Sequence, residues 1–231
     1  TDQMISDIVE TLNRTGHISN TILFFSSDNG APGVNSHPQR WDSTVIDRNY
    51  PFRGQKNELF EGGVRAAGFI YSPLMPSHVI GTKSSALLHI TDWFRTIISA
   101  VGGDLSSRTH LPLDSHDMWD CLFHANRTAC SREEIVLNIN TVCDLDSVDY
   151  ETECPAPKAA IRVGDLKLLV ECFNSTKGPI GRRALYNITF DPTESHDLSE
   201  EMPEIVERLA GRLMELGSEA LLIPPLSDTK P

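Results

Sequence analysis

The stretch Thr21–Tyr71 constrains this chain most, and Asp28-Asn29-Gly30 is its centre. Thr21-Ile-Leu-Phe-Phe25 is an apolar run, rich in strand formers and too short for a helix, that breaks off at Ser26-Ser27-Asp28-Asn29-Gly30. It reads as a buried parallel strand of an α/β sheet. In open α/β sheets, ligand-binding groups gather just beyond the carboxyl ends of strands. A carboxylate beside a carboxamide there offers two hard oxygens to a cation such as Ca²⁺, and Gly30 lets the chain turn away. A plain Asp-Asn-Gly turn is the other reading of the same residues.

Two later motifs bear on the choice: Pro51-Phe-Arg53-Gly-Gln-Lys56 and Glu61-Gly-Gly-Val-Arg65. In order, S-D-N-G, P-x-R-G-x-K and E-G-G-V-R resemble the sulfatase family, with the nearest likeness to its arylsulfatase B (N-acetylgalactosamine-4-sulfatase) type. Echoes follow at His89-Ile-Thr-Asp92-Trp93, Leu113-Asp114 to Trp119, Ala160-Ile-Arg162-Val-Gly164-Asp-Leu-Lys167-Leu, and Asp191-Pro192 to His196-Asp197-Leu198. The resemblance implies the C-terminal part of an alkaline-phosphatase-like α/β domain over residues 1–150. A small α+β subdomain, an antiparallel sheet plus a C-terminal helix, would fill 151–231. It implies Asp28 and Asn29 as Ca²⁺ ligands and Lys56 as the catalytic and substrate-binding cation facing the sulfate or its leaving oxygen. Arg53 and Arg65 would steady the metal loop by pairing with Glu61 or with backbone carbonyls.

The family's C-x-[PA]-x-R signature, whose Cys becomes formylglycine, does not occur here. Cys154-Pro-Ala-Pro-Lys158 carries Lys where Arg is required and lies far past the metal motif. The remaining calcium ligands and the nucleophile are therefore expected in a preceding half, and the chain alone is expected to be inactive. The absence of an initiator Met and of a signal peptide agrees with a truncated chain. The substrate would be an aryl sulfate or a sulfated glycosaminoglycan sugar. The alternative is a non-catalytic sulfatase-like protein that binds sulfated glycans or a protein partner. A related phosphatase or phosphodiesterase is weaker, since the extra His and Asp ligands those enzymes use are not placed.

A formal net charge of −12 argues against a nucleic-acid surface. It leaves room for an anionic sulfate ester, because basic residues slightly outnumber acids between Arg40 and Arg65. No apolar run approaches the ~20 residues of a membrane span. Sequons at Asn13, Asn126, Asn174 and Asn187 accompany cysteines at 121, 130, 143, 154 and 172, which favours a lysosomal or secreted protein. Cys154 and Cys172 flank the Gly164-Asp165 turn and are the first candidates for a bridge, with Cys121–Cys130 the second. A zinc site is disfavoured, because no C-x₂-C or H-x₃-H pair accompanies the cysteines.

Periodicity supplies the elements. Met4, Ile5, Ile8, Val9 and Leu12 form one helical face that would pack on a sheet. Residues 31–50 read as a long loop, longer than the arylsulfatase B version, and 64–71 as a buried strand. His89 and Asp92 suggest an acid/base pair, although capping of the helix at Ile90, Trp93, Phe94, Ile97, Ile98 and Val101 explains them more simply. Glu134–Ile139 is expected to end the large sheet. Strands at 159–163, 166–171 and 184–189 and a helix from Pro203 to a stop at Gly217 complete the reading.

Overall fold

The computed structural model describes residues 1–33, 48–105, 113–139, 158–174 and 178–220. They fall into two compact units, Thr1–Ser27 with Ala67–Glu133, and Asp28–Ala66 with Glu134–Pro231.

The first unit holds α1 (Asp2–Arg14), β1 (Leu23–Ser26) and, from its second segment, β2 (Gly68–Tyr71). Two helices follow, α3 (Asp92–Ala100) and α4 (Trp119–Phe123), while α2 (Glu61–Val64) belongs to the other unit. β1 is half-buried and pairs antiparallel with β2, in the register Leu23↔Tyr71 to Ser26↔Gly68. The expectation of a buried parallel strand is therefore corrected. An apolar run shows that a strand is covered, but strand direction depends on the partner. Phe25 and Phe69, opposite each other, stack at 5.1 Å, a cross-strand aromatic pair that holds this register.

The 64–71 strand is likewise shorter than expected. Glu61–Val64 forms the one-turn helix α2, which leaves Gly68–Tyr71 to pair. α1 forms where its stripe predicts, but Met4 and Ile8 are exposed and none of its residues is buried. The stripe of α3 is also largely open at Ile90, Phe94, Ile97 and Val101, although Trp93 meets Phe24 edge-on at 5.0 Å.

The second unit is built on a four-stranded antiparallel sheet in the order β3 (Glu134–Ile139), β4 (Ala159–Val163), β5 (Leu166–Asn174), β6 (Gly178–Asn187). Glu134–Ile139 is thus an edge strand of this sheet and does not end a larger one. The predicted hairpin forms at Gly164, whose φ of 55° is the left-handed conformation such a turn needs.

Alternation then gives the sheet two apolar faces. Ala159, Ile161, Leu168, Val170 and Leu185 meet Val206, Leu209, Ala210 and Leu213 of α5 (Pro203–Ala220). The opposite face, with Ala160, Leu169, Ala184, Tyr186 and Ile188, is covered by Phe60. Gly217 does not stop α5, which continues to Ala220. A helical glycine costs only about 1 kcal/mol, and the packing of Leu213 and Leu216 on the sheet core offsets it.

Candidate functional site

The loop after β1 and the segment 48–66 are tied into one knot by backbone contacts. Gly30 N donates to Gly63 O at 2.9 Å, Lys56 N to Ala31 O at 3.0 Å, and Gly62 N to Arg53 O at 2.7 Å. Asn49 braces the same place: its Oδ1 accepts from Ala31 N at 2.7 Å, and its Nδ2 donates to Ala31 O and Gly54 O. The two strands of this knot touch so closely that only glycine fits. A Cβ on Gly30 would fall on the Gly62 carbonyl oxygen, and one on Gly63 would fall on the carbonyl of Glu58. The Gly62-Gly63 pair is a packing device.

At the head of the knot, Asp28 is exposed and accepts from Asn29 N through Oδ1 at 2.9 Å. The Asn29 side chain donates to Gly30 O at 2.8 Å, which leaves Oδ1 as the amide's open acceptor. Both residues thus present hard oxygens, the donor type a Ca²⁺ ion takes. Among the described residues, no group of three or more His, Cys, Asp or Glu gathers to complete a cage. The donors fit such an ion in kind, and the rest of the six to eight oxygens it takes must come from elsewhere.

Lys56 is exposed and precedes Asn57, whose φ of 75° turns the chain sharply. Arg53 spans the knot, donating from Nη1 to Glu194 O at 3.1 Å with its guanidinium 4.1 Å over the Phe60 ring. Arg65 Nη1 lies 3.5 Å from Glu61 Oε2, and its guanidinium sits 4.8 Å over Phe52.

Beneath the knot Glu61 also joins a buried ionic cluster with Lys167 and Glu194, two residues to which the motifs assign no role. Lys167, with no exposed surface, brings Nζ to 2.9 Å from both Glu61 Oε1 and Glu194 Oε1. Its bond to Glu61 is aligned, whereas its approach to Glu194 Oε1 is a charge contact without hydrogen-bond geometry. Glu194 Oε2 accepts from Glu61 N at 2.6 Å, and Arg162 Nη1 lies 3.9 Å from Glu61 Oε2. Burial pushes the Glu194 carboxyl above its ordinary range, and the opposing pull of Lys167 does not offset this. The available sequence signal was a lysine within an otherwise apolar strand.

His89 and Asp92 do not form an acid/base pair. Asp92 is fully buried and takes a fork from Arg132, with Nε to Oδ2 and Nη2 to Oδ1 both at 2.6 Å. It also accepts from the backbone amides of His89 and His116. Burial raises its pKa, but the Arg132 and backbone hydrogen bonds outweigh that and hold it below the usual carboxylate range. His89 is turned to Thr91 Oγ1, and burial followed by Arg132 lowers its pKa. Thr91 makes no side-chain cap on α3.

The Cys121–Cys130 disulfide is present, whereas Cys154 and residues 34–47 of the long loop lie outside the described residues. Of the sequons, Asn13 and Asn126 are exposed, and Asn126 Oδ1 accepts from Thr128 Oγ1 at 2.7 Å. Asn187 is half-buried, with Oδ1 engaged by the amides of Thr189 and Phe190. No described helix is long and apolar enough to cross a membrane.

With this geometry in place, comparison with known proteins gives its class: a sulfatase-like α/β fold. Residues 1–103 match the sulfatase family model. Mouse (Mus musculus) arylsulfatase J is 32% identical over 97% of this chain and 40% of its own length. An N-acetylgalactosamine-6-O-sulfatase from Bacteroides thetaiotaomicron is 26% identical over 90% of this chain and 39% of its own. Among solved structures, the PsFucS1 sulfatase from Pseudoalteromonas sp. superposes with a TM-score of 0.65 at 23% identity, covering 95% of this chain and 41% of that one. Ps i-CgsB in complex with k-i-k-neocarrahexaose gives 0.65 at 21% identity, over 94% and 40%. The chain is similar to sulfatases over nearly all of its length, with the family model matched over residues 1–103, and it spans about 40% of the length of those two curated relatives.

Proposed function

We propose that the whole protein is a calcium-dependent sulfuric ester hydrolase acting on sulfated glycan sugars or aryl sulfates, to which this chain contributes Asp28, Asn29 and Lys56. The observation that carries the reading is the knot. Lys56 N donates to Ala31 O, two residues past Asn29, and Gly30 N to Gly63 O, all inside the segment that matches the sulfatase family. Asp28 and Asn29 would hold the ion through their side-chain oxygens. Calcium, when bound, draws charge from the sulfate oxygens. Lys56 sets an ammonium where negative charge grows on the sulfate and the leaving oxygen, a preorganised charge that costs no rearrangement during reaction. Arg53 and Arg65 hold the loop and stay off the reacting atoms. The nucleophile is assigned to a formylglycine outside residues 1–231, because none of the five cysteines begins C-x-[PA]-x-R. The N-acetylgalactosamine-6-sulfatases among the curated relatives support the 6-sulfate as the first substrate to test, beside the 4-sulfate that the motif resemblance implies. The sequons and the disulfide support a secretory route ending in lysosome or medium.

Sulfate release by the full-length protein, from a chromogenic aryl sulfate and from 4- and 6-sulfated N-acetylgalactosamine, tests this. Lys56→Ala is expected to lower kcat by about 10²-fold or more with unchanged melting, and residues 1–231 alone are expected to turn over nothing. Binding of sulfated glycans without sulfate release by the full-length protein would assign a binding protein instead. Turnover by residues 1–231 that disappears in Lys56→Ala would overturn the placement of the nucleophile.

A further inference from the structure

The small antiparallel sheet touches the candidate site through the cluster of Glu61, Lys167 and Glu194. The three residues are far apart in sequence, with separations of 106 from Glu61 to Lys167 and 133 from Glu61 to Glu194. They come from three elements: the one-turn helix α2, the start of β5, and the 191–197 loop after β6. All three side chains are removed from water. Taking charges out of water is expensive, and apolar residues of similar volume would often hold a core equally well. The sheet has such a core on both faces. The cluster is therefore not needed to close the sheet, and what it adds is a fixed position for Glu61.

Glu194 supplies a second, independent observation. Its backbone is left-handed, with φ at 54°, although it is not glycine and is fully buried. That conformation is unfavourable for a side-chain-bearing residue and persists only where the surroundings impose it. Here it allows one residue to grip the knot twice. Oε2 takes the amide of Glu61, and the Glu194 carbonyl takes Arg53 Nη1. The 191–197 loop is in turn tightened by Asp191, whose carboxylate accepts from Thr193 Oγ1 and from the amides of Ser195 and His196. From Glu61 the path is short. Gly62 N and Gly63 O, the next two residues, bond to Arg53 O and Gly30 N, and Gly30 follows Asp28-Asn29 directly.

We infer that Glu194, Lys167 and Glu61 are positioning residues: a buried ionic lock by which the small sheet sets the Asp28-Asn29 loop and Lys56 in place. The consequence for that loop's metal rests on the sulfatase reading above; the lock itself does not. The sheet thereby serves the site as a template for the loop that holds the ligating oxygens.

Amide hydrogen exchange on the full-length protein, read together with calcium titration, separates the two. In Lys167→Met, the amides of Gly30, Lys56, Gly62 and Gly63 are expected to exchange at least ~10-fold faster, while those of Leu168 and Leu185 in the sheet core keep their protection. The half-saturating calcium concentration is expected to rise about 10–100-fold, with kcat falling more than KM changes. If Lys167→Met does not fold, Arg53→Met is read in the same way. It removes only the bond to the Glu194 carbonyl and the stacking on Phe60, and a smaller shift in the same direction is expected. Loop amides that exchange at the wild-type rate in a folded variant overturn the lock. Faster loop exchange with no change in calcium dependence upholds the lock and overturns the metal assignment.

Discussion

The two units of this chain use apolar sequence very differently. In the sheet unit, Ile161, Leu168, Leu169, Val170, Leu185 and Leu213 have no exposed surface, and both sheet faces are covered. In the other unit, Met4, Ile8, Phe69, Tyr71, Ile90, Phe94 and Ile97 all lie open, and the buried residues include polar ones, Asp92, Thr96 and Ser115. Its order rests on specific links: Arg132 to Asp92, Met118 N to Thr96 Oγ1 at 3.0 Å, Arg95 N to Ser115 Oγ at 3.1 Å, and one disulfide. The lesson is about where a site can be held accurately. The candidate metal loop belongs to the sheet unit, which has the deep core, although the strand leading into it belongs to the other.

The contrast would break first at Asp92. Asp92→Ala strands a mostly buried guanidinium, and losing one partner of a buried pair typically costs about 3–5 kcal/mol. Unfolding of the first unit, followed by Trp93 and Trp119 fluorescence, should shift by that amount while exchange protection in the sheet stays unchanged. Acid should act along the same line. The depressed pKa of Asp92 means its stabilisation is complete above the ordinary Asp value of ~3.9 and is lost as pH falls through the folded value. Glu194 has the opposite sign. Its raised pKa favours the folded state at low pH, and that contribution is lost as pH rises through the folded value. Acidification from neutrality should therefore weaken the first unit only below about pH 4, and Glu194→Gln should flatten the opposite trend in the sheet unit.

Next in size is a matched pair of truncations. Leu168→Ala in the sheet core should cost about 2–5 kcal/mol, whereas Phe94→Ala on the open face of α3 should stay within about 0.5 kcal/mol. Equal losses in urea titrations would show that the α3 stripe is covered. Below the Leu168 truncation comes the effect of reducing Cys121–Cys130. Its sequence separation of 9 closes a short loop, so about 2–3 kcal/mol is expected, confined to the first unit.

Sequence reached these elements unevenly, for physical reasons. The hairpin at Gly164-Asp165 and the start of α5 at Pro203 were legible because a turn residue or a helix-start proline acts locally. The stripes of α1 and α3 identified helices, but a stripe does not name its partner, so their packing was not legible. The direction of β1 failed for the same reason. At the site, Asp28, Asn29 and Lys56 stood out through contiguous motifs. Glu194 and Lys167 lay inside quoted motifs, yet their role depends on contacts across more than a hundred positions. The grip of the sheet on the loop exists only in three dimensions.

Calcium titration of the full-length protein by calorimetry, wild type against Asp28→Ala, with sulfate release read on the same samples, decides whether the metal sits on the Asp28-Asn29 loop. Asp28→Ala is expected to lose stoichiometric calcium binding and turnover together, while melting in chelator is unchanged. Tight stoichiometric calcium binding that survives Asp28→Ala, or turnover that survives it, would contradict the placement of the metal on this loop.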